Sequence, residues 1–221
     1  MHSPPETRVK ICCIGSLDEA RLAVRYGAFA LGLVSAMPSG PGVIAEDLIA
    51  EIAASVPPGV GTFLLTSKQD SAAILTQQRR CRCNTIQLCD RIKEASYREM
   101  RQAMPGISLV QVIHVNGEES VLEAEAAGRY ADALLLDSGN QSLSVKELGG
   151  TGRVHDWNLS ARIRKSVSVP VFLAGGLTPE NVKDAVEGVR PFAIDVCSGV
   201  RTNGMLDEEK LAGLFGELRM R

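Results

Sequence analysis

Eight short apolar runs alternate with stretches of helical spacing along this chain of 221 residues. The runs have the length of β-strands and are rich in Val, Ile, Leu and Ala without strict polar alternation, which is typical of strands buried on both faces. Strands separated by helices pair in parallel, because each parallel connection needs a long crossover. The predicted strands cover 9–14, 28–34, 60–66, 85–89, 108–115, 132–137, 169–174 and 192–197.

The segments between the strands predict the covering helices and, with them, the fold. Helical spacing covers 18–26, 45–55, 69–80, 95–104, 118–128 and 207–218. Thr178-Pro179-Glu180 predicts another helix start, with Thr178 as N-cap and Pro179 at the first helical position. We therefore expect one α/β domain over 1–221, a (β/α)8 TIM barrel. An open doubly wound sheet is the alternative, but Ile14-Gly15-Ser16-Leu17-Asp18 follows the first strand where such a sheet usually has GxGxxG.

Composition excludes several classes of protein. The chain is 45% hydrophobic and 23% charged, so it can build a sizeable core and is not expected to be disordered. Its net charge is −2 with the basic residues dispersed, which argues against a nucleic-acid surface. No apolar window approaches the roughly 18 residues of a membrane span, and no apolar segment precedes the first strand as in a secretory signal. We expect a cytoplasmic protein without membrane or nucleic-acid partners.

Six cysteines raise the possibilities of a disulfide or a metal site. The close pairs are Cys12-Cys13 and Cys81-Arg82-Cys83, and no second CxxC-type pair or HxxxH completes a zinc site. Reduced thiols and no metal are the expectation for a cytoplasmic protein. Cys81 and Cys83 lie in a polar, basic stretch and are predicted to be surface or loop thiols.

Reactive side chains end two of the predicted strands. In a barrel of this type the active site lies at the carboxyl ends of the strands, where Cys12 ends the first strand and Asp137 ends the sixth. Lys10 is two residues from Cys12, so it can share the same side of the strand and favour a thiolate there. Cys13 should point elsewhere by strand alternation. Burial after four apolar residues favours the protonated form of Asp137, which suits a general acid.

Two turns of small residues follow the last two strands. Gly175-Gly176 and Ser198-Gly199 leave backbone N–H groups unobstructed, and such groups can hold a phosphate. The simpler interpretations stay open at this point. The glycines can be tight turns only, and Cys12 can be a small buried hydrophobic residue.

Several motifs together resemble phosphoribosylanthranilate isomerases. They are VKICCIG at 9–15, GLV at 32–34, LLLDS at 134–138, GGTGRVHDWNL at 149–159, AGGLTPENV at 174–182 and RPFAIDVCSGV at 190–200. Their order and spacing cover almost the entire chain. The resemblance implies a single (β/α)8 barrel and an aldose–ketose isomerase of tryptophan biosynthesis that carries out an Amadori rearrangement on a phosphosugar amine.

The resemblance also implies roles for individual residues. Asp137 would protonate the furanose ring oxygen as general acid, and Cys12 would remove the proton from C2 of the sugar as general base. Asp195 would contact the sugar, while the two glycine turns would bind the phosphate. Neither a metal nor an organic cofactor is implied, and the partner would be a small phosphosugar bound by a monomer or homodimer.

The departures from the family pattern lie mainly where the aglycone is expected. Pro41 stands where the family usually has an arginine for the anthranilate carboxylate, and Cys89-Asp90 replaces His-Gly. Cys13 replaces a glycine and Arg201 a glutamate. Losing one charge-assisted contact costs on the order of 1.5–3 kcal/mol.

Three interpretations follow from these departures. Another cation can replace the arginine, with Arg201, Arg91 and Arg153 as candidates. Alternatively, a related isomerase acts on a different phosphosugar amine, or the chain binds a phosphoribosyl ligand without turnover. The long segment 137–156 is expected to cover the substrate, the alternative being a flexible excursion. His114 is a minor candidate for substrate contact, and His155 is expected in the loop or at a helix start.

Overall fold

Eight parallel strands close into a barrel in the computed structural model, which describes residues 7–140, 143–149 and 152–219. The strands follow one another around the barrel in chain order, and β1 pairs with β8 to close it. They are β1 (Arg8–Ile11), β2 (Ala30–Val34), β3 (Gly61–Thr66), β4 (Thr85–Leu88), β5 (Ser108–His114), β6 (Ala133–Asp137), β7 (Val171–Leu173) and β8 (Ala193–Val196). The predicted (β/α)8 barrel is confirmed.

Helices cover the outside of the barrel. They are α1 (Leu17–Tyr26), α2 (Glu46–Ser55), α3 (Ser71–Cys81), α4 (Glu94–Ala103), α5 (Glu119–Ala127), α6 (Trp157–Ser166), α7 (Val182–Val189) and α8 (Glu208–Arg219). A short 3-10 helix, Ser198–Val200, and a two-stranded hairpin of β9 (Arg201–Thr202) and β10 (Met205–Leu206) lie between β8 and α8. No helix among the described residues is long and apolar enough to cross a membrane.

The alternation of side chains along each strand separates an outer core from the barrel interior. In β6, Leu134 and Leu136 pack outward in the core shared with the helices, while Ala133 and Leu135 pack in the interior. Asp137 continues the interior set, since side chains two residues apart share a face. The same parity places Lys10 in β1 and Asp195 in β8 on the interior side. Pleating alone thus directs these polar groups into the barrel.

Two predictions from the sequence are wrong in detail. Helix α7 begins at Val182, not at Thr178, because the side chain of Asn181 accepts a hydrogen bond from the Thr178 N–H at 2.9 Å and holds the preceding residues in a turn. Cys81 and Cys83 are buried, with 0% and 1% of their surfaces exposed, in the outer core. Cys81 is the last residue of α3 and lies on the buried face of that helix, although its sequence neighbours are polar.

Some predictions fall on residues outside the described ranges. The expectation of a single domain over 1–221 includes residues 1–6 and 220–221, and the expected absence of a secretory signal also concerns residues 1–6. Gly150 and Thr151 of the motif at 149–159 lie outside the described residues as well.

Candidate active site

A cavity opens at the carboxyl ends of the strands, with a volume of about 670 Å³ that includes the space open to solvent at its mouth. Most of the residues singled out in the sequence line it. Its polar and small-residue side comprises Cys12, Cys13, Asp137, Gly149, Gly152, Ala174, Gly175, Gly176, Asp195, Cys197 and Ser198. The turn residue Leu177 also lies on that side, and the remaining lining residues are Val34, Met37, Ser39, Gly40, Pro41, Leu65, Gln87, Cys89 and Leu148.

Cys12 lies directly after β1, and a glycine on the next strand makes room for its sulfur. Its backbone N–H donates to the Val196 carbonyl at 2.8 Å, which holds it in line with β8. A Cβ atom on Gly32 would lie 2.7 Å from the Cys12 Sγ and 3.0 Å from the Lys10 Nζ. The thiol and the ammonium therefore occupy the same side of β1, as predicted.

Lys10 and Asp195 form a buried ion pair beneath the cavity. They are register partners in the β1–β8 pair, and Nζ lies 2.8 Å from Oδ1. Burial by itself lowers the pKa of Lys10, but the Asp195 carboxylate more than offsets this and raises it above its ordinary value. Burial raises the pKa of Asp195, and the charge and hydrogen bond of Lys10 act in the opposite direction. We assign Lys10 as an ammonium and Asp195 as a carboxylate. Lys10 is fully buried and outside the cavity lining, so it supports the site from below.

Asp137 is held at the end of β6 with one oxygen directed to the covering segment. The backbone N–H of Ser138 donates to Oδ1 at 2.7 Å. A Cβ on Gly149 would lie 2.6 Å from Oδ2, and one on Gly175 would lie 3.2 Å from Oδ1. The carboxyl group therefore packs against glycines from two different loops. It is 7% exposed and faces the same cavity as Cys12.

Both predicted phosphate turns reach the cavity, but their glycines have different roles. Gly175 and Gly176 have φ angles of +86° and +64°, and a Cβ on Gly176 would come within 2.7 Å of the backbone of Arg153 and Val154. Gly199 does not line the cavity. A Cβ there would lie 1.9 Å from the Leu177 carbonyl oxygen, so Gly199 lets the two turns pack against each other.

The segment after β6 covers the cavity, as expected, over its described part. Asn140 and Glu147 exchange backbone hydrogen bonds of 2.8 and 2.9 Å, which folds the segment back on itself. Leu148 and Gly149 then enter the cavity wall. Ser39 on the β2–α2 loop donates to the Lys146 carbonyl at 2.7 Å and connects the cover to the opposite rim.

The side of the cavity where the aglycone is expected carries no basic side chain among the described residues that line it. Pro41 is part of this wall, beside Met37 and Leu65. Arg91 pairs with Glu123 on the outer side of the barrel, and Arg153 pairs with Glu147 on the covering segment. Neither arginine lines the cavity.

Arg201 lies beneath the carboxyl end of β1, where its contacts are structural. It contacts Glu19 at 2.9 and 3.1 Å and donates to the carbonyl oxygens of Cys12 and Cys13 at 3.2 and 2.6 Å. Burial raises the pKa of Glu19, but hydrogen bonds from Arg201, Gly15 and Leu206 outweigh this and lower it. Arg201 therefore supports the loop that carries Cys12 and does not reach into the cavity.

Sequence reasoning missed one cation and misplaced one thiol. Lys146, on the covering segment, contacts Asp90 with Nζ 2.5 Å from Oδ2, which offsets the negative charge that Asp90 brings to this rim. Cys13 also lines the cavity, against the expectation that it points elsewhere, because its φ of +60° ends the strand alternation. The glycine that the family usually has at this position was the available signal of a left-handed backbone.

The two histidines singled out in the sequence lie outside the cavity lining. His114 is buried, and its Nε2 lies 3.1 Å from the Cys89 carbonyl oxygen. His155 stands just before α6, as expected, with Nε2 2.7 Å from the Ser160 hydroxyl. Burial lowers the pKa of His155 in spite of the nearby carboxylates of Asp137 and Asp156. No cluster of potential metal ligands occurs among the described residues.

Comparison with known proteins agrees with this geometry. The family model described as N-(5'phosphoribosyl)anthranilate (PRA) isomerase matches residues 9–217. An N-(5'-phosphoribosyl)anthranilate isomerase of Methanosarcina acetivorans is 33% identical over 97% of this chain and 94% of its own. The crystal structure of phosphoribosyl anthranilate isomerase from Thermotoga maritima is 29% identical, covers 96% of this chain and 98% of its own, and superposes with a TM-score of 0.80.

A further solved structure of this kind contains a bound ligand. It is a phosphoribosyl anthranilate isomerase in complex with reduced 1-(o-carboxyphenylamino)-1-deoxyribulose 5-phosphate. It is 27% identical to this chain, with a TM-score of 0.78 and coverage of 96% and 98% of the two chains. The fold, the order of the motifs and these matches over nearly the whole length agree, and the chain belongs to the N-(5'-phosphoribosyl)anthranilate isomerase family.

Proposed function

We propose that this protein is a phosphoribosylanthranilate isomerase of tryptophan biosynthesis. It converts N-(5-phosphoribosyl)anthranilate, an aminoaldose, into the corresponding 1-deoxyribulose 5-phosphate, an aminoketose. The observation that carries this proposal is the convergence of Cys12 and Asp137 on one cavity next to two small-residue turns. A binding protein needs the turns, but it needs neither a thiol beside a buried ammonium nor an inward-facing carboxyl group.

The reaction begins with proton transfer from Asp137. The carboxyl group donates its proton to the furanose ring oxygen, the bond from that oxygen to C1 breaks, and the nitrogen lone pair completes a Schiff base. The Cys12 thiolate then removes the proton from C2, which gives an enolamine. Tautomerisation of the enolamine gives the ketone, so substrate and product are isomers. General acid and general base each contribute typically 10²–10⁴-fold to such a rate.

The surrounding residues position the substrate for these steps. Backbone N–H groups of Gly175, Gly176 and Ser198 bind the phosphate, because unobstructed turn amides attract anions. The Lys10 ammonium lies on the same side of β1 as the Cys12 sulfur, and its pairing with Asp195 keeps it in place. The covering segment at Leu148 and Gly149 limits access of water to the Schiff base.

A second candidate is the same rearrangement on a phosphosugar amine whose aglycone lacks a carboxylate. The observation that favours it is the aglycone wall, where Pro41 stands in place of the usual arginine and no lining residue described is basic. An unpaired carboxylate would be desolvated there without a cation, which is unfavourable. Arg153 and Lys146 lie on the covering segment near the rim but pair with Glu147 and Asp90.

The test is whether the full-length protein converts N-(5-phosphoribosyl)anthranilate. The conversion is measured by the decrease in substrate fluorescence. We expect turnover by the wild type and a fall in kcat of about 10²–10⁴-fold in Asp137→Asn, since the amide cannot donate the same proton. Asp184→Asn, which changes an exposed carboxylate on α7, is the matched control and retains turnover. Tight binding of inorganic phosphate without conversion would instead identify a binding protein.

A further inference from the structure

Two thiols from neighbouring strand ends meet in the cavity wall. The Sγ atoms of Cys13 and Cys197 lie 2.6 Å apart, and both residues are free cysteines. They follow β1 and β8, which are paired up to Ile11 and Val196. Adjacent strands lie about 4.8 Å apart, and a disulfide needs Cα atoms about 4.4–6.8 Å apart. Residues at this junction are therefore close enough to be bridged.

The position of Cys13 is fixed by tight packing. Its φ of +60° is a conformation that non-glycine residues seldom adopt. A Cβ on Gly42 would lie 2.5 Å from the Cys13 Cβ, so the neighbouring loop has glycine where Cys13 needs space. Cys13 Sγ also contacts the Pro41 carbonyl oxygen at 3.7 Å. The thiol is thus held facing Cys197 and the cavity.

The two thiols differ in acidity, and Arg201 contributes to the difference. The hydrogen bond between Cys197 and Cys13 and the charge of Arg201 lower the pKa of Cys197 in spite of its burial. Hydrogen bonds with Cys12 and Cys197, together with burial, raise the pKa of Cys13. Cys197 is also the more exposed of the two. A thiol with a lowered pKa, partly exposed and with a second thiol beside it, is the arrangement of oxidation-sensitive cysteine pairs.

We propose that Cys13 and Cys197 form a modification site, at which a small hydroperoxide oxidises the two thiols to a disulfide. The Cys197 thiolate attacks one peroxide oxygen, so an S–O bond forms, the O–O bond breaks and the leaving oxygen departs as hydroxide or alkoxide. Cys13 then attacks the Cys197 sulfur, the S–S bond forms and the S–O bond breaks with release of water. With hydrogen peroxide, two thiols are oxidised and one peroxide is reduced to two waters.

Cys12 is the less suitable partner for either thiol. Consecutive Cα atoms are about 3.8 Å apart, which is below the usual range of about 4.4–6.8 Å for a disulfide, so a Cys12–Cys13 bond would be strained. The Cys12 sulfur also packs toward Gly32 and Lys10, on the interior side of the barrel. The bond between Cys13 and Cys197 therefore leaves the Cys12 thiol chemically intact.

Oxidation reduces turnover, a consequence that rests on the proposed isomerase function. Cys197 directly precedes Ser198, and Gly199 is in tight contact with the Leu177 carbonyl. Bond formation between Cys197 and Cys13 shifts the turn that begins at Ser198, and the turn at Leu177 shifts with it because their backbones are in contact. A displacement of about 1 Å in a positioning element can cost up to about 10²-fold in rate. We expect kcat/KM to fall about tenfold to a hundredfold on oxidation.

The test uses the full-length reduced protein treated with a small excess of hydrogen peroxide. We expect two of the six thiols to become unreactive toward a thiol reagent. Non-reducing peptide mapping should identify one cross-link, between the peptides that contain Cys13 and Cys197, and dithiothreitol should reverse it. Cys81→Ser, which removes a thiol from the outer core, is the matched control and still forms the cross-link. Cys13→Ser and Cys197→Ser should each abolish it.

The chemical and kinetic readouts separate this proposal from the proposed function. The modification site would be overturned by a cross-link between other cysteines. It would also be overturned if peroxide oxidised no thiol until the protein unfolded. Irreversible oxidation of Cys12 as the first event would do the same. A Cys13–Cys197 cross-link in a protein that never converts the substrate would support the site and refute the isomerase. Turnover that is lost on oxidation and restored by dithiothreitol supports both.

Discussion

The two sides of the cavity differ in how closely they keep the family pattern. On the side of β1, β6, β7 and β8, the Cys12 thiol, the Asp137 carboxyl group and the two small-residue turns are all present. On the side of β2 and β4, Pro41 and Cys89-Asp90 replace the usual arginine and His-Gly, and the wall among the described residues has no basic side chain. In the proposed function, chemistry and aglycone recognition would thus be carried by different strands, and one could change while the other is kept.

The difference between the sides also has a physical basis. The chemical side depends on the closure of the barrel, where Lys10 pairs with Asp195 and Arg201 holds the Cys12-Cys13 backbone. A change there disturbs buried charges, which is costly. On the other side Pro41 is an exposed loop residue, so a substitution there costs less, although Leu65 and Cys89 of the same wall are buried. Four variants examine this contrast, beginning with the largest expected effect.

Cys12→Ser should abolish most of the activity without unfolding the protein. A serine hydroxyl is a far weaker base than a thiolate, so we expect kcat to fall by about 10²–10⁴-fold with little change in KM. Steady-state kinetics with N-(5-phosphoribosyl)anthranilate measure both. Cys81→Ser makes the same atomic change in the outer core and should lower stability but not kcat. Equal kcat and KM for wild type and Cys12→Ser would show that Cys12 is not the general base.

Glu19→Gln tests whether Arg201 is structural or serves the substrate. Glu19 and Arg201 are both more than nine-tenths buried, and breaking such a pair costs about 3–5 kcal/mol. We expect a fall of about 3 kcal/mol in the free energy of unfolding in urea. Glu209→Gln, at an exposed position on α8, is the control and should change it little. A large rise in KM with unchanged stability would instead indicate that Arg201 binds the substrate.

The same variant has a defined dependence on pH. The pKa of Glu19 in the folded protein is lowered by its hydrogen bonds. Its carboxylate therefore stabilises the fold at pH values above its ordinary pKa of about 4.3, and this stabilisation is lost as the pH falls through the lowered pKa. The difference in unfolding free energy between wild type and Glu19→Gln should be greatest near neutral pH and should narrow below about pH 4. A difference in unfolding free energy that increases as the pH falls would contradict the lowered pKa assigned to Glu19.

Gly176→Ala should weaken binding of the phosphate. A Cβ at this position meets the backbone of Arg153 and Val154 at 2.7 Å, and the positive φ is strained for alanine. We expect KM to rise about tenfold or more, since the turn must move by about an ångström. Gly188→Ala is the matched control in α7, where nothing lies within 4 Å, and it should raise stability by about 0.5–1 kcal/mol. Unchanged KM in Gly176→Ala would place the phosphate elsewhere.

Pro41→Arg tests the aglycone side and has the smallest expected effect. A new guanidinium in this wall can pair with a carboxylate, a contact worth about 1.5–3 kcal/mol when it is formed. If the natural aglycone lacks a carboxylate, the variant should lower KM for the anthranilate substrate by about tenfold. A neutral or harmful effect beside an efficient wild type would show that the wall already accommodates anthranilate.

Much of the molecule could be predicted from local pattern. The eight strands, the barrel and the position of Cys12 and Asp137 at strand ends follow from apolar runs of fixed length and from the alternation of side chains along a strand. Helix α6 was not predicted, because Trp157–Ser166 is largely polar and its buried residues include only Ser160 and Ile163. The start of α7 was wrong because a side-chain hydrogen bond of Asn181 outweighed the usual preference for Thr and Pro at helix starts.

Residue order and type determined the repeating units, the reactive groups and their common end of the barrel, since these depend on periodicities within each strand. Only the tertiary structure decided which groups pair with one another. Lys10 with Asp195, Arg201 with Glu19 and Cys13 with Cys197 join positions more than 180 residues apart. Such pairs form because closing the barrel brings its first and last strands together, and no local pattern encodes the distance between side chains across that closure.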